Sequence, residues 1–347
     1  MFVPHPFHPR RGGVVPPARV DPAGLTGPTL GQARGRSWVR TSPGLFLPRA
    51  VDLDDPDQRI LAAAGVLEPG EAVTGWASLR WRRARWFAGL DAGQRPLPVP
   101  LLVQRHLVKH PSYRLTREFL SLHDLEEVDG LSVSSVRWAV CFEARWADDL
   151  VSAVIAVDMA AYSDLISVDE LRPYVLSRMA PTGIEQARKA VELAAENSWS
   201  PQETVMRLVW KAWRPESTLL CNRPVFDLAG RHLATPDLLD PEAGVVGEYD
   251  GAVHLAAEQR ASDVRREALL RAVGLELVTM VGADHADDHR SFRLRLAGAH
   301  DRAAESGSSR RWTLEPPPWW TDTSTVAARR ALDPRVRRRL LAHRWLG

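Results

Sequence analysis

Residues 235–251 read TPDLLDPEAGVVGEYDG. The turn-formers Asp240-Pro241-Glu242-Ala243-Gly244 separate two short apolar runs, a pattern that predicts a β-hairpin. In VVGEYD (245–250) the strand period of two puts Glu248 and Asp250 on one face and Tyr249 on the other. A turn centred near residue 242 or 243 sets Asp237 opposite or beside Glu248. Facing residues in such a pair have Cβ atoms about 4.5–5.5 Å apart, so Asp237, Glu248 and Asp250 are expected to share one patch. Carboxylates on one face of an otherwise apolar strand are costly without a positive partner. Like charges this close raise one another's pKa or bind a cation. Hard oxygen ligands with open positions suit Mg2+ or Mn2+, and no Cys or His cluster competes for a softer metal. Plainer readings stand beside this one. Asp237 also reads as an acid flanking a turn, and Asp250-Gly251 as a turn signal, but these leave the mid-strand Glu248 without an explanation.

Outward from the hairpin, residues 184–196 form an amphipathic helix in the sequence pattern. Ser200-Pro201-Gln202-Glu203 opens a second helix that runs to about Trp213. Glu203 there is the N3 acid of a capping box with proline at N1, and it shares a helical face with Met206, Trp210 and Trp213. NRPVFDL (222–228) and RHLATPDLL (231–239) give β signals ahead of VVGEYD. A helix follows around 256–273, then a strand, LELVTMV (275–281). The order α-β-β-β-α-β places an α+β domain at residues 181–300. Asp263 and Arg266, three apart on one helix, also make an ordinary ion pair of a few tenths of a kcal/mol. His285 and His289, four apart in a polar segment, read as solvated.

The N-terminal half has a different texture. Residues 1–36 are a basic arm rich in Pro and Gly. Residues 37–180 are read as a smaller α+β domain: a strand pair around Ser42-Pro43-Gly44, a helix opened by Asp55-Pro56, strands near LPVPLLVQRH and within 115–135, then helices to 180. Ser167-Val168-Asp169-Glu170 is a capping-box sequence. Residues 301–347 are a linker followed by an Arg-rich helix at 326–345. The whole chain is thus expected to be of mixed α/β (α+β) class.

Composition bounds the function. With 45% hydrophobic and 25% charged residues in 347 positions, the chain is globular in type rather than disordered or fibrous. No stretch approaches the roughly 18 uncharged apolar residues a membrane helix needs, and the N-terminus lacks a signal-peptide core. Cys141 and Cys221 make neither a disulfide framework nor a zinc site, which suits a reducing cytoplasm. Net charge is +2, yet residues 1–40 carry +5 and residues 329–347 carry +6, leaving −9 for the middle. Basic ends on an acidic body point to a polyanionic partner, or to solubilising termini. Only Lys109, Lys189 and Lys211 among the 45 basic residues are lysine.

Taken together, Asp237, then Glu248-Tyr249-Asp250-Gly251 with His254, then Asp263, Arg266, Leu270 and Gly274 resemble the signature of the restriction-endonuclease-like PD-(D/E)XK superfamily. The pattern is most similar to its branch of very-short-patch repair (Vsr-like) endonucleases. The resemblance covers about residues 185–285. It implies a restriction-endonuclease-like α-β-β-β-α-β core and Mg2+- or Mn2+-dependent hydrolysis of DNA phosphodiesters, in phage defence or DNA repair. Asp237 and Glu248 would hold the metal, Glu203 would bind the metal or its water, and Asp250 would be a further ligand or orient the water. His254 and Arg266 would meet phosphate. The superfamily's usual lysine is replaced by Asp250.

RTSPGLFLPRA, AVTGWASLRW and VDGLSVSSVRWAV, within about residues 30–180, resemble AbiEi-type antitoxins and transcriptional regulators. That resemblance implies a non-catalytic alternative, a DNA-binding repressor or antitoxin built on a worn nuclease scaffold, or a module that silences a toxin partner. In RWRRARW (80–86) arginines and tryptophans interleave, either as a phosphate-gripping cluster or as buried Trp with a solvated Arg face. Arg337 and Arg338 of the C-terminal run are the expected non-specific phosphate contacts.

Overall fold

The computed structural model describes residues 11–179, 181–251, 257–306 and 310–344, with side chains at 257–264 left aside. Helices and strands mix along the chain, and the strands fall into several separate sheets. The chain forms two compact units. One gathers the residues up to Ala147 with Pro173–Glu185 and the stretch from Leu341. The other takes Asp148–Arg172 and Gln186–Leu340. Helix Leu150–Tyr162 therefore belongs to the second unit, although it precedes Pro181 in sequence.

In the first unit, Trp38–Ser42 and Leu45–Pro48 pair across Gly44, whose φ of +76° is the left-handed geometry the turn needs. Asp55 caps helix Pro56–Ala64 by accepting the Gln58 amide at 2.9 Å. A five-stranded mixed sheet is ordered Tyr113–Thr116, Val99–Leu102, Ala72–Val73, Leu131–Ser134, Leu125–Val128. Helices Gly75–Trp81 and Val136–Trp146 accompany it. Within RWRRARW, Trp81 is fully buried, Arg80 pairs with Asp57 at 2.8 Å and Arg82 with Glu126 at 2.8 Å. Trp81 is core, and these two arginines are spent on ion pairs.

The second unit is organised by the hairpin. Leu238–Asp240 pairs antiparallel with Val245–Asp250, Leu238 facing Gly247. Asp240 shapes the turn: its carboxylate accepts the Glu242 and Ala243 amides and the Ser217 hydroxyl. The sheet runs Glu276–Val281, Val245–Asp250, Leu238–Asp240, Leu220–Cys221, the first pair parallel and joined through helix Ala257–Ala272. One sheet face packs Leu238, Val245 and Met280 against Met206 and Trp210 of helix Pro201–Trp213 and Phe292 of helix Arg290–Glu305. The other packs Leu239 and Val246 against Leu270. Gly247 lets the first helix approach, because a Cβ there would lie 2.9 Å from the Trp210 ring.

Two expectations change in detail. The β signals at 222–239 divide between two sheets: Val225–Asp227 pairs with His232–Ala234 on one side and Trp312–Thr313 on the other, while Leu238–Asp240 joins the hairpin sheet. The single C-terminal helix expected at 326–345 is broken into Val326–Arg330 and Pro334–Leu340, followed by a 3-10 turn at Ala342–Arg344. Pro334 lacks the amide hydrogen that a continuous helix would need there.

Candidate active site: a carboxylate cluster at the open end of the hairpin

The hairpin register, continued by one pair, sets Asp237 opposite Glu248, and the Tyr249 amide donates to Asp237 Oδ2 at 2.7 Å. Val246, which shares a strand face with Glu248, belongs to the same core as Leu270 of helix Ala257–Ala272. From that helix Arg266 reaches Glu248, Nη2 to Oε1 at 2.5 Å, and burial raises the Asp237 pKa against the pull of the Tyr249 amide and the Arg266 charge.

Glu203 comes from the other side. Ser200 caps helix Pro201–Trp213 by accepting the Glu203 amide at 3.2 Å. The Glu203 carboxylate then folds back, Oε2 accepting the Trp199 amide at 2.7 Å and Asn222 Nδ2 at 2.6 Å. Capping and site roles coincide here. Glu203 is 7% exposed. Burial, then the nearby charge of Asp237, push its pKa up to about 7, against the pull of those hydrogen bonds. Burial also raises Asp237.

Asn222 is the residue sequence reasoning missed. It is buried at a φ of +46°, a geometry asparagine tolerates better than most residues. Its amide nitrogen donates to the Asp237 carbonyl at 2.9 Å, and its Nδ2 donates to Glu203. It therefore ties helix to hairpin. The only sequence signal was its place before Arg223-Pro224, at the edge of a β run. His232 was also missed. It stacks on Trp320 with centroids 5.3 Å apart, and burial together with the Arg266 charge lowers its pKa.

Asp250 sits at the end of the central strand, paired in register with Val281, and burial, followed by the charges of Asp250 and Asp284, raises the Tyr249 pKa. His254 lies outside the described residues, and the side chain of Asp263 is likewise not described. Lys211 does not stand in for the missing lysine: it donates to the Pro215 and Ser217 carbonyls at the far end of its helix from Glu203. Arg337 pairs with Asp164 at 2.8 Å, whereas Arg338 is exposed. His285 and His289 lie at the surface, as expected, and also touch each other, ring centroids 4.9 Å apart.

The donor set decides whether a divalent cation fits. Among the described residues no three His, Cys, Asp or Glu side chains gather as a metal cluster. Glu203 and Asp237 nonetheless bring two carboxylates within reach of each other's charge. Beside them Asn222 Oδ1 is buried with no hydrogen-bond partner among the described residues. Mg2+ is commonly held by one or two carboxylates with the rest of its shell from water and substrate phosphate, and these oxygens fit that pattern. No family model, no curated protein and no solved structure matches this chain. Among the described residues no helix is long and apolar enough to cross a membrane.

Proposed function

We propose that the chain is a Mg2+- or Mn2+-dependent DNA endonuclease with a restriction-endonuclease-like core. The observation that carries this reading is a buried Glu203 whose pKa is raised first by burial and then by the charge of Asp237, itself in register with Glu248. A fold gains nothing from burying like charges side by side, so a cation that neutralises them is the simplest reason for their placement. Asp237 and Glu248 would hold the metal, with Glu203 next to it. Such a metal, when bound, polarises a phosphodiester oxygen and acidifies water. A cation bound beside Glu203 would offset the burial and the Asp237 charge that push its pKa up to about 7 and so favour its ionised form. Asp250 would orient water, and Arg266 would exchange Glu248 for a phosphate oxygen. The exposed Arg338 would hold the DNA backbone.

One feature favours a second reading. The Arg266–Glu248 ion pair already neutralises one acid, as in a worn scaffold serving a DNA-binding repressor or an antitoxin with a toxin partner. Supercoiled plasmid incubated with Mg2+ or Mn2+ separates the two. Nicking that Asp237→Ala and Glu248→Ala both abolish supports the enzyme. Cutting that survives in both variants removes this site, and a gel shift without cutting favours the repressor.

A further inference from the structure

The first unit contains a cavity of about 360 Å3 that plays no part in the hydrolytic reading. Its polar wall comes from Arg40, Arg59, His110 and Ser112, and its apolar wall from Leu53, Leu97 and neighbouring prolines. Among the described residues no acidic one lines it. That size and mixture, mainly apolar with a few convergent polar groups, belong to small-molecule sites, which run to roughly 300–1,000 Å3.

Arg59 is the telling residue. Its Nη2 donates to the Gly89 and Leu97 carbonyls at 3.0 and 2.6 Å, and its guanidinium lies 5.3 Å from the Trp76 ring centroid. Its Nη1 is buried with no hydrogen-bond partner among the described residues. Arg40 spends Nε on the Ser42 carbonyl and is otherwise exposed. His110 Nδ1 is held by Ser112 Oγ at 2.8 Å. Two guanidiniums and an imidazole thus border an apolar hollow without a lining carboxylate. Burial lowers the Arg59 pKa, and Asp54 offsets that only in part, so an anion in the hollow would relieve a real electrostatic cost.

We infer that this cavity binds a small organic anion, a carboxylate or phosphate ester carrying a flat apolar body. A duplex backbone is the less suitable occupant, because it is met by convex basic surfaces rather than by an apolar hollow.

Titration calorimetry on the full chain tests this with 1-naphthyl phosphate, 2-naphthoate and the neutral 2-naphthalenemethanol. Both anions bind at 1:1, and the alcohol binds at least about tenfold more weakly. Arg59→Gln risks the fold, because Arg59 holds two carbonyls. Arg40→Gln and the cavity-filling Leu53→Trp therefore carry the test, each weakening the anions about tenfold with an unchanged circular dichroism spectrum. Equal affinity for the alcohol, affinities unmoved by both variants, or no heat with either anion at about 1 mM overturns the inference. So does displacement of naphthyl phosphate by a short DNA duplex at low salt.

Discussion

Helix Pro201–Trp213 carries two buried ionic groups one turn apart, and they meet opposite fates. Arg207 pairs with Asp158 of helix Leu150–Tyr162 at 2.6 Å, and Asp158 also accepts the Thr204 hydroxyl at 2.8 Å and the Ala195 amide at 2.7 Å. Asp158 is fully buried, and every acceptor oxygen has a donor. That is closed electrostatics, and it locks two helices together. Glu203, four residues earlier, is buried as deeply but faces Asp237 rather than a cation. Burial alone therefore does not mark a functional carboxylate. What separates the two is the sign of the neighbouring charge.

The largest expected effect is on catalysis. Glu248→Ala or Asp237→Ala lowers Mg2+-dependent plasmid nicking by at least about a thousandfold, in line with the transition-state charge a metal stabilises. Asp158→Asn, on the closed side, leaves nicking chemistry in place but destabilises the fold by about 3–5 kcal/mol in urea unfolding, because Arg207 stays buried without its counter-ion. A loss under about 1 kcal/mol would show the pair is not closed, and the contrast would collapse.

Glu203→Gln changes the pH dependence of stability. The folded pKa, about 7, lies above the ordinary 4.5, so between these values the folded state holds more protons than the unfolded chain. Stability therefore falls as pH rises through that window. The glutamine variant removes a fall of order 1–3 kcal/mol, read as the difference between the two proteins' melting curves from pH 4.5 to 7.5. Glu143, whose pKa burial also raises to about 7, contributes a similar slope in both proteins and cancels in the difference. Added Mg2+ at pH 7.5 raises the melting temperature of the wild type and leaves Asp237→Ala unmoved.

The smallest effect concerns the arginine tail. Arg338→Ala reduces the slope of log affinity against log salt for DNA by about 0.9. Arg337→Ala mainly loses under about 1 kcal/mol of stability, since Arg337 is paired with Asp164. Equal salt slopes for the two variants would erase the distinction between them.

Much of the second unit was legible. The Asp240–Gly244 turn, the period of VVGEYD and the Ser200-Pro201 cap each depend on neighbouring residues, and the hairpin register follows from the turn centre. The placement of Asp237 opposite Glu248 was legible for the same reason. Arg266 was visible as a residue three from Asp263 on a helix, yet its contact with Glu248 is a crossing between elements that sequence spacing does not encode. Asn222 was hidden more deeply, because its role depends on a left-handed backbone and on helix and hairpin meeting at one point.

Local chemistry, then, was written in the order of residues: where helices begin, where the hairpin turns and which side chains alternate together, since hydrogen bonds and dihedral preferences act over a few positions. Tertiary packing alone decided which carboxylate received a counter-charge. Arg207 met Asp158 and Glu203 met Asp237 only because helix Leu150–Tyr162 and the hairpin docked on different parts of one helix. Charge interactions between distant segments are set by distance in space and by the exclusion of water, and neither exists until the chain has folded.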